Sequence, residues 1–248
     1  MTAVRRISAA RWAARGSPPL LDRLEGSLGV AVEGAIAPAI CRRWAAAALR
    51  AKNDWVADFG REQFALGRAF YTHFETGRSA LYFRDAARSD ARVERHLPGM
   101  QRAILDLFGR LAGGRVRPRH GFCGPGVHLF PPREKVATSG GVIHFDVEGL
   151  TPFQLERRVR ALSLIVMLQP PIFGGGLRLW DVRWSGREEP TERELTAPRE
   201  TYRYRPGSAL LMDSHRLHQI RPFRGGRHRV SITVHAAEVD QGVWETWF

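Results

Sequence analysis

His144-Phe145-Asp146 places two potential metal donors one residue apart. The pattern carries little by itself, because 9 histidines and 25 acidic residues among 248 give about one His-x-acid by chance. A second one is indeed present, His73-Phe74-Glu75, and it differs in its local grammar. His73 falls in a helical stretch, where positions i and i+2 point about 200° apart and cannot close on one ion. It reads as a surface or packing pair. His144 and Asp146 fall at the end of a β-like run, where i and i+2 share a face roughly 6.6 Å apart and can converge on one metal.

A second imidazole has to come from a later strand that folds back beside the first. The stretch from Pro206 to Pro222 offers His215 and His218. His215 reads as part of a turn after the Leu210–Met212 run, whereas His218 opens the next strand and alternates with Ile220, so His218 is the better placed. Two histidines and one carboxylate on one face of an octahedron suit iron(II) and leave three positions open. A structural zinc site would instead be closed by four ligands.

Open positions invite a co-substrate, and a distal carboxylate on it would need a cation, which Arg supplies bidentately. The run Arg227-His228-Arg229-Val230-Ser231-Ile232-Thr233-Val234-His235 has period 2. Arg229, Ser231 and Thr233 face one side and Val230, Ile232 and Val234 the other. A polar face on a late strand belongs either to a pocket wall or to the solvent side of an antiparallel sheet. Arg227 shares the polar face and competes with Arg229 as the anchor.

The elements that must position these groups change character along the chain. Segments around 28–51, 54–76 and 86–112 are rich in Ala, Leu and Arg with apolar residues near a 3.6 period, and predict helices. Gly77 and Gly113-Gly114 are the expected stops. After Gly114 come short β-like runs separated by Gly and Pro: 115–122, 127–130, 142–146, 161–168, 177–181, 201–205, 208–212, 218–221 and 229–235. Two insertions break the rhythm. Thr151-Pro152-Phe153-Gln154 reads as an N-cap, an N1 proline and a capping-box glutamine opening a short helix to Arg160. Residues 182–200 are dense in Arg and Glu and read as a rim loop. The expectation is an α+β chain in which residues 1–114, a helical region, pack on a jelly-roll or cupin-like double-stranded β-helix of residues 115–248, as one integrated domain.

Composition narrows the class. Hydrophobic residues make up 44% and charged residues 25%, an ordinary globular balance. No apolar run reaches the roughly 18 residues needed to span a bilayer. Arg11 and Arg15 interrupt the apolar stretch a secretory signal would need. Two cysteines, Cys41 and Cys123, make no disulfide framework, so a reducing cytoplasm is expected. The formal charge of +13 invites a nucleic-acid partner, but nearly all of it is arginine spread along the chain rather than gathered in a stripe.

Taken together, the residues resemble the iron(II)/2-oxoglutarate dioxygenase superfamily, its prolyl-hydroxylase-like members above all, over roughly 127–236. His144-Phe145-Asp146 resembles the first ligand pair. Ser163 to Leu168, followed by Phe173-Gly174-Gly175-Gly176-Leu177, resembles the strand and glycine turn of those members. Pro206-Gly207-Ser208-Ala209-Leu210-Leu211-Met212 with His218-x-Ile220-x-Pro222 resembles the approach to the distal histidine. Gly226-x-x-Arg229-x-Ser231 resembles the R-x-S that holds the 2-oxoglutarate carboxylate. The resemblance implies that His144, Asp146 and His218 hold Fe(II), that Arg229 pairs with the far carboxylate of 2-oxoglutarate, and that Ser231 is its hydrogen-bonding neighbour. O₂ would be the second co-substrate, succinate and CO₂ the co-products, and a substrate C–H bond the target. Family halogenases have Gly or Ala where this chain has Asp146, so hydroxylation or desaturation is implied instead. Demethylases of alkylated bases resemble R-x-N-x-T-x-R, and here Ser231 and His235 replace the Asn and the last Arg, which argues against a nucleic-acid substrate.

The expected substrate is an amino-acid-like or secondary-metabolite small molecule, with the arginines favouring an anionic or carboxylated one. Its contacts are expected from His128, Phe130, the 148–160 insertion, Trp180, Arg183 and Trp184. Two alternatives stay open: an oxygenase acting on a protein or nucleic acid, and a non-catalytic cupin-like metal-binding protein. The C-terminal Val243-Trp244-Glu245-Thr246-Trp247-Phe248 either docks on the core or makes a homodimer contact.

Overall fold

The computed structural model describes residues 3–187 and 189–248; Met1, Thr2 and Glu188, the last inside the expected 182–200 insertion, lie outside the described residues. The first 114 residues contribute strands β1 (Val4–Ser8), β2 (Gly29–Glu33), β3 (Val56–Asp58) and β4 (Gln63–Leu66). The middle of the chain adds β5 (Arg115–Pro118), β6 (Gly126–Phe130), β7 (Ala161–Gln169), β8 (Phe173–Gly174) and β9 (Leu177–Arg183). Then come β10 (Arg199–Tyr202), β11 (Ala209–Asp213), β12 (Arg216–Ile220), β13 (Phe223–Arg224), β14 (Arg229–Asp240) and β15 (Val243–Trp247). A major sheet of 10 strands runs β1-β2-β11-β7-β14-β6-β4-β3, with β15 joined to β14 and β5. It is antiparallel except at the β1–β2 and β15–β5 pairs. A minor sheet of 3 strands, β10-β9-β12, and the short β8–β13 pair complete a mixed α/β architecture of jelly-roll type.

The two faces of β14 explain the layering. Val230, Ile232, Val234 and Ala236 are fully buried and join Leu164 and Val166 of β7 on one face. Trp44 and Ala48 of the helix Pro38–Arg50 and Ile104, Leu107 and Phe108 of the helix Met100–Ala112 cover that face. Each such aliphatic group removed from water contributes roughly 1.5–3 kcal/mol, and an unbroken aliphatic row makes the strand's choice of face unambiguous. Its other face carries Arg229, Ser231, Thr233 and His235 and looks toward the minor sheet. The β-like runs from 161 onward therefore stand close to where the residue pattern puts them.

The expectation that residues 1–114 form a helical region is corrected. Within 28–51 the helix is Pro38–Arg50 only, and Gly29–Glu33 is a strand inserted between β1 and β11. Its Val30, Ala31 and Val32 are all buried, so this run packs on both faces and shows no period to read. Within 54–76 the helix shrinks to Phe70–Glu75, and β3 and β4 extend the major sheet beyond β6. Aromatics there satisfy a 3.6 and a 2 period equally, and pairing with β6 decides between them. The third helix is two, Ser79–His96 and Met100–Ala112, separated at Gly99, whose φ of 72° is the left-handed conformation. The expected strand 142–146 reduces to a single antiparallel bridge between His144 and His218.

Candidate functional site

That single bridge is the centre of the site. His144 N–H donates to the His218 carbonyl (3.1 Å), and His218 N–H donates to the His144 carbonyl (3.0 Å). Residues paired in this way project their side chains to the same face, and the two imidazole rings lie 4.2 Å apart between centroids. Each ring turns its Nδ1 back onto its own backbone: His144 onto the Val142 carbonyl and His218 onto the Arg216 carbonyl, both at 2.9 Å. A carbonyl only accepts, so each Nδ1 carries a proton and Nε2 is the nitrogen turned toward the site. Both Nε2 atoms lie 3.4 Å from Asp146 Oδ1. His144, Asp146 and His218 offer donor atoms all within 4.8 Å of one another. A hydrogen-bonded Nδ1 with Nε2 free is how metal-binding histidines are held, and this donor set fits a ferrous ion.

Asp146 is fixed from behind. Its backbone N–H donates to the Ser214 carbonyl (2.9 Å). Ser163 Oγ donates its one hydrogen to Asp146 Oδ2 (2.6 Å), so the Ser214 hydroxyl and His235 Nδ1, each 2.9 Å from Ser163 Oγ, act as donors to it. Burial opposes charge on Asp146, but the imidazoles of His218 and His235 outweigh it and hold the carboxyl well below the usual carboxylate range.

Arg229 lies in the same cavity, 2% exposed. Its Nε donates to the Gly175 carbonyl (3.2 Å) and one terminal nitrogen donates to Ser231 Oγ (3.0 Å). Its guanidinium carbon stands 5.3 Å from the Phe130 ring and 5.6 Å from the Tyr204 ring. No carboxylate pairs with it among the described residues, and the nearby Tyr204 hydroxyl is buried without a partner. A buried charge in this condition is costly unless a ligand completes it. The glycine turn matters here: Gly174 and Gly175 have φ of 77° and 68°, and a Cβ on Gly176 would meet the Tyr202 carbonyl, so the chain can fold tightly enough to aim the Gly175 carbonyl at Arg229. Arg227, the competing anchor, is exposed and does not line the cavity.

The cavity measures about 430 Å³ and lies between β6, β7 and β14 of the major sheet and β9 and β12 of the minor one. Of the expected substrate contacts, His128, Phe130 and Glu148 line it. Trp180 and Trp184 do not; Trp180 is buried in a separate cluster with Phe145, Val182 and Leu217, its Nε1 donating to the Leu195 carbonyl. Arg183 is paired with Asp213. His215 is likewise outside the donor cluster, its Nδ1 3.2 Å from Asp213 Oδ1. The helix from 152 ends at Glu156, capped by Thr151 and Gln154 as the residues indicate, and adds nothing to the wall.

Sequence reasoning missed Tyr71, Glu75, Trp247 and Phe248 as wall residues. The first two sit in the stretch taken as continuous helix. The C-terminal pair arrives through β15, which pairs with β14 and β5, so that segment docks on the core. Gly126 makes the space: a Cβ there would collide with the Phe248 ring. Burial, followed by the charges of His235 and Arg229, takes the His128 imidazole down to about 3 and keeps it neutral. Burial also pushes the Glu148 carboxyl up to about 7.

No family model matches the chain, and no curated protein matches it by sequence. Solved structures do match by shape. An N-substituted L-amino acid dioxygenase from Burkholderia ambifaria AMMD superposes with a TM-score of 0.60 at 15% identity, over 92% of this chain and 89% of that one. The epimerase SnoN, in complex with Fe3+, alpha ketoglutarate and nogalamycin RO, gives 0.55 at 18% identity, over 88% and 86%. A prolyl hydroxylase in complex with a hypoxia inducible factor peptide fragment, from Trichoplax adhaerens, gives 0.50 at 15% identity, over 88% and 87%. The chain has the fold of Fe(II)/2-oxoglutarate oxygenases.

Proposed function

We propose that this chain is an Fe(II)- and 2-oxoglutarate-dependent oxygenase that hydroxylates or desaturates a small molecule. One observation carries the proposal: a buried guanidinium with no carboxylate of its own shares a cavity with two imidazoles and a carboxylate whose free donor atoms face one another. The likeness in shape to solved proteins, among them a dioxygenase and an epimerase each complexed with alpha ketoglutarate, points the same way.

His144, Asp146 and His218 would hold the iron, which when bound supplies the oxygen activation that C–H oxidation needs. Arg229 would pair with the distal carboxylate of 2-oxoglutarate, with Ser231 orienting the guanidinium. Ser163, held by Ser214 and His235, keeps the Asp146 carboxylate in one orientation. The aromatic wall of Tyr71, Trp247 and Phe248 excludes bulk water from the reacting atoms. The division at 114/115 falls inside one integrated domain, in keeping with β2 and β4 lying in the major sheet. Among the described residues no helix is long and apolar enough to cross a membrane. Cys41 and Cys123 are buried free thiols, in keeping with a reducing, cytoplasmic setting.

The test is anaerobic addition of Fe(II) and then 2-oxoglutarate, watching for a weak visible charge-transfer band, followed by measurement of succinate release on admission of O₂. The band and 2-oxoglutarate-dependent succinate are both expected; absence of both overturns the assignment.

A further inference from the structure

The aromatic lining of the cavity does not stop at its mouth. Glu75 lines the cavity and is itself exposed, so the cavity meets solvent at the end of the helix Phe70–Glu75. Phe74, the residue before it, is 57% exposed, and Phe83 on the helix Ser79–His96 is 44% exposed. Both rings rest on Phe70, which lines the cavity. Its centroid lies 5.7 Å from that of Phe74, a stacked pair, and 5.8 Å from that of Phe83. Phe70 and Phe74 are four residues apart on one helix and share a face. Gly77, with a φ of 67°, turns the chain so that the next helix brings Phe83 back onto the same ring.

Phe70 is therefore held in common by the inner wall and an outer shelf, and its place is fixed. Its backbone N–H and the Tyr82 hydroxyl both donate to the Phe248 carbonyl, at 2.8 and 3.0 Å. Phe122 supports both rings, 5.0 Å from Phe70 and 5.0 Å edge-on from Phe83. Arg119 lies over Phe122 and over the wall residue Trp247, at 4.4 and 5.5 Å, and donates to the Gly149 carbonyl. The base of the shelf and the lip of the cavity are thus one rigid aromatic body. Scattered apolar side chains are ordinary on a protein surface and need no ligand. Two phenylalanines from different helices that converge on a wall ring beside the opening form a patch, and such patches extend binding grooves.

We propose that this shelf is an outer subsite and that the substrate is an elongated apolar molecule. Its reacting end enters the cavity, and its body leaves through the mouth and lies over Phe74 and Phe83. The proposal rests on the oxygenase assignment and names the substrate class of that same site. Continuity selects this occupant over a second copy of the chain, because a body packed on Phe70 inside the cavity meets Phe74 and Phe83 without leaving aromatic surface. Phe74 and Phe83 would set specificity for length and take no part in the chemistry, since neither lines the cavity that holds the reacting groups.

Isothermal titration with 2-phenylethanol and 8-phenyloctan-1-ol compares a short and a long apolar body with the same two ends. Both probes are titrated into the anaerobic protein loaded with Fe(II) and 2-oxoglutarate, and into the protein without either addition. The long probe is expected to bind about fiftyfold more tightly, roughly twofold for each added methylene half-covered by the shelf. Phe74→Ser/Phe83→Ser is expected to remove about tenfold of that gain while leaving the affinities for 2-phenylethanol and 2-oxoglutarate unchanged. Phe173→Ser, at a side chain 65% exposed on β8, is the control and is expected to change nothing. If the double variant does not fold, Phe74→Ser alone decides, with a loss of about threefold for the long probe. Binding of neither probe, no gain with length, a gain indifferent to these substitutions, or an equal loss in Phe173→Ser overturns the proposal. A dimer in light scattering that Phe74→Ser/Phe83→Ser dissolves also overturns it, because the shelf then belongs to a second copy. Failure of 2-oxoglutarate to bind would break the oxygenase assignment instead, and the titrations without additions would still report the shelf.

Discussion

Two stretches of this chain carry the same pattern of histidine, phenylalanine and acid, and each has an arginine near it. In the first, His73 is fully buried in the helix Phe70–Glu75. Its Nδ1 lies 2.9 Å from the Ala69 carbonyl, and its Nε2 accepts from Arg68 at 2.8 Å. Arg68 in turn donates to Asp85 at 2.9 Å. Every polar group in that set has found a partner, and the helix points Glu75 elsewhere, to the cavity mouth. In the second, the Nδ1 atoms of His144 and His218 are satisfied, but two Nε2 atoms and the Asp146 carboxylate face one another, and Arg229 has no acid among the described residues. The difference teaches that the chemistry of such a motif lies in what its surroundings leave unsatisfied.

Substitutions can break or sharpen that contrast. His144→Ala or His218→Ala is expected to lower 2-oxoglutarate-dependent succinate release by about a thousandfold or more, since each removes a donor that nothing else replaces; retention of full turnover would return this motif to the status of the first. Arg229→Ala is expected to raise the 2-oxoglutarate KM by about a hundredfold, the scale of a buried charge pair losing one partner. The same measurement on Arg227→Ala should show no change, and the reverse result would move the anchor. Ser163→Ala, which frees one oxygen of Asp146, is expected to weaken Fe(II) affinity by about tenfold, measured by competition with a chelator. His73→Ala is expected to leave Fe(II) and 2-oxoglutarate affinities unchanged while lowering stability by roughly 2–4 kcal/mol in urea unfolding, because it strips Arg68 of a buried partner.

The divide between what the residues revealed and what they concealed follows the same physics. The strands β7, β9, β10, β11, β12 and β14 were legible because each carries a one-sided period or a punctuating glycine or proline. β14 is the clearest case, with Val230, Ile232 and Val234 in the core and Arg229, Ser231 and Thr233 in the cavity. β2 and β4 were not, because a run buried on both faces has no period, and an alanine-rich neighbour lends it a helical look. The aromatic wall was hidden for a different reason. Tyr71, His128, Trp247 and Phe248 come from parts of the chain separated by dozens of residues, and only the pairing of β15 with β14 and the missing side chain at Gly126 bring Phe248 over His128.

The sequence by itself determined the chemical inventory: two imidazoles and a carboxylate at extended spacing, a guanidinium on a polar strand face, and the glycines beside it. Those are local properties of side chain and backbone, set by residue type and period. Tertiary structure alone decided that Arg229 is buried with no acid among the described residues while Arg227 is exposed, and that Phe248 and Trp247 reach the cavity wall beside His128. Each of those outcomes depends on which groups are removed from water together, and desolvation is a property of the folded arrangement rather than of any single stretch of chain.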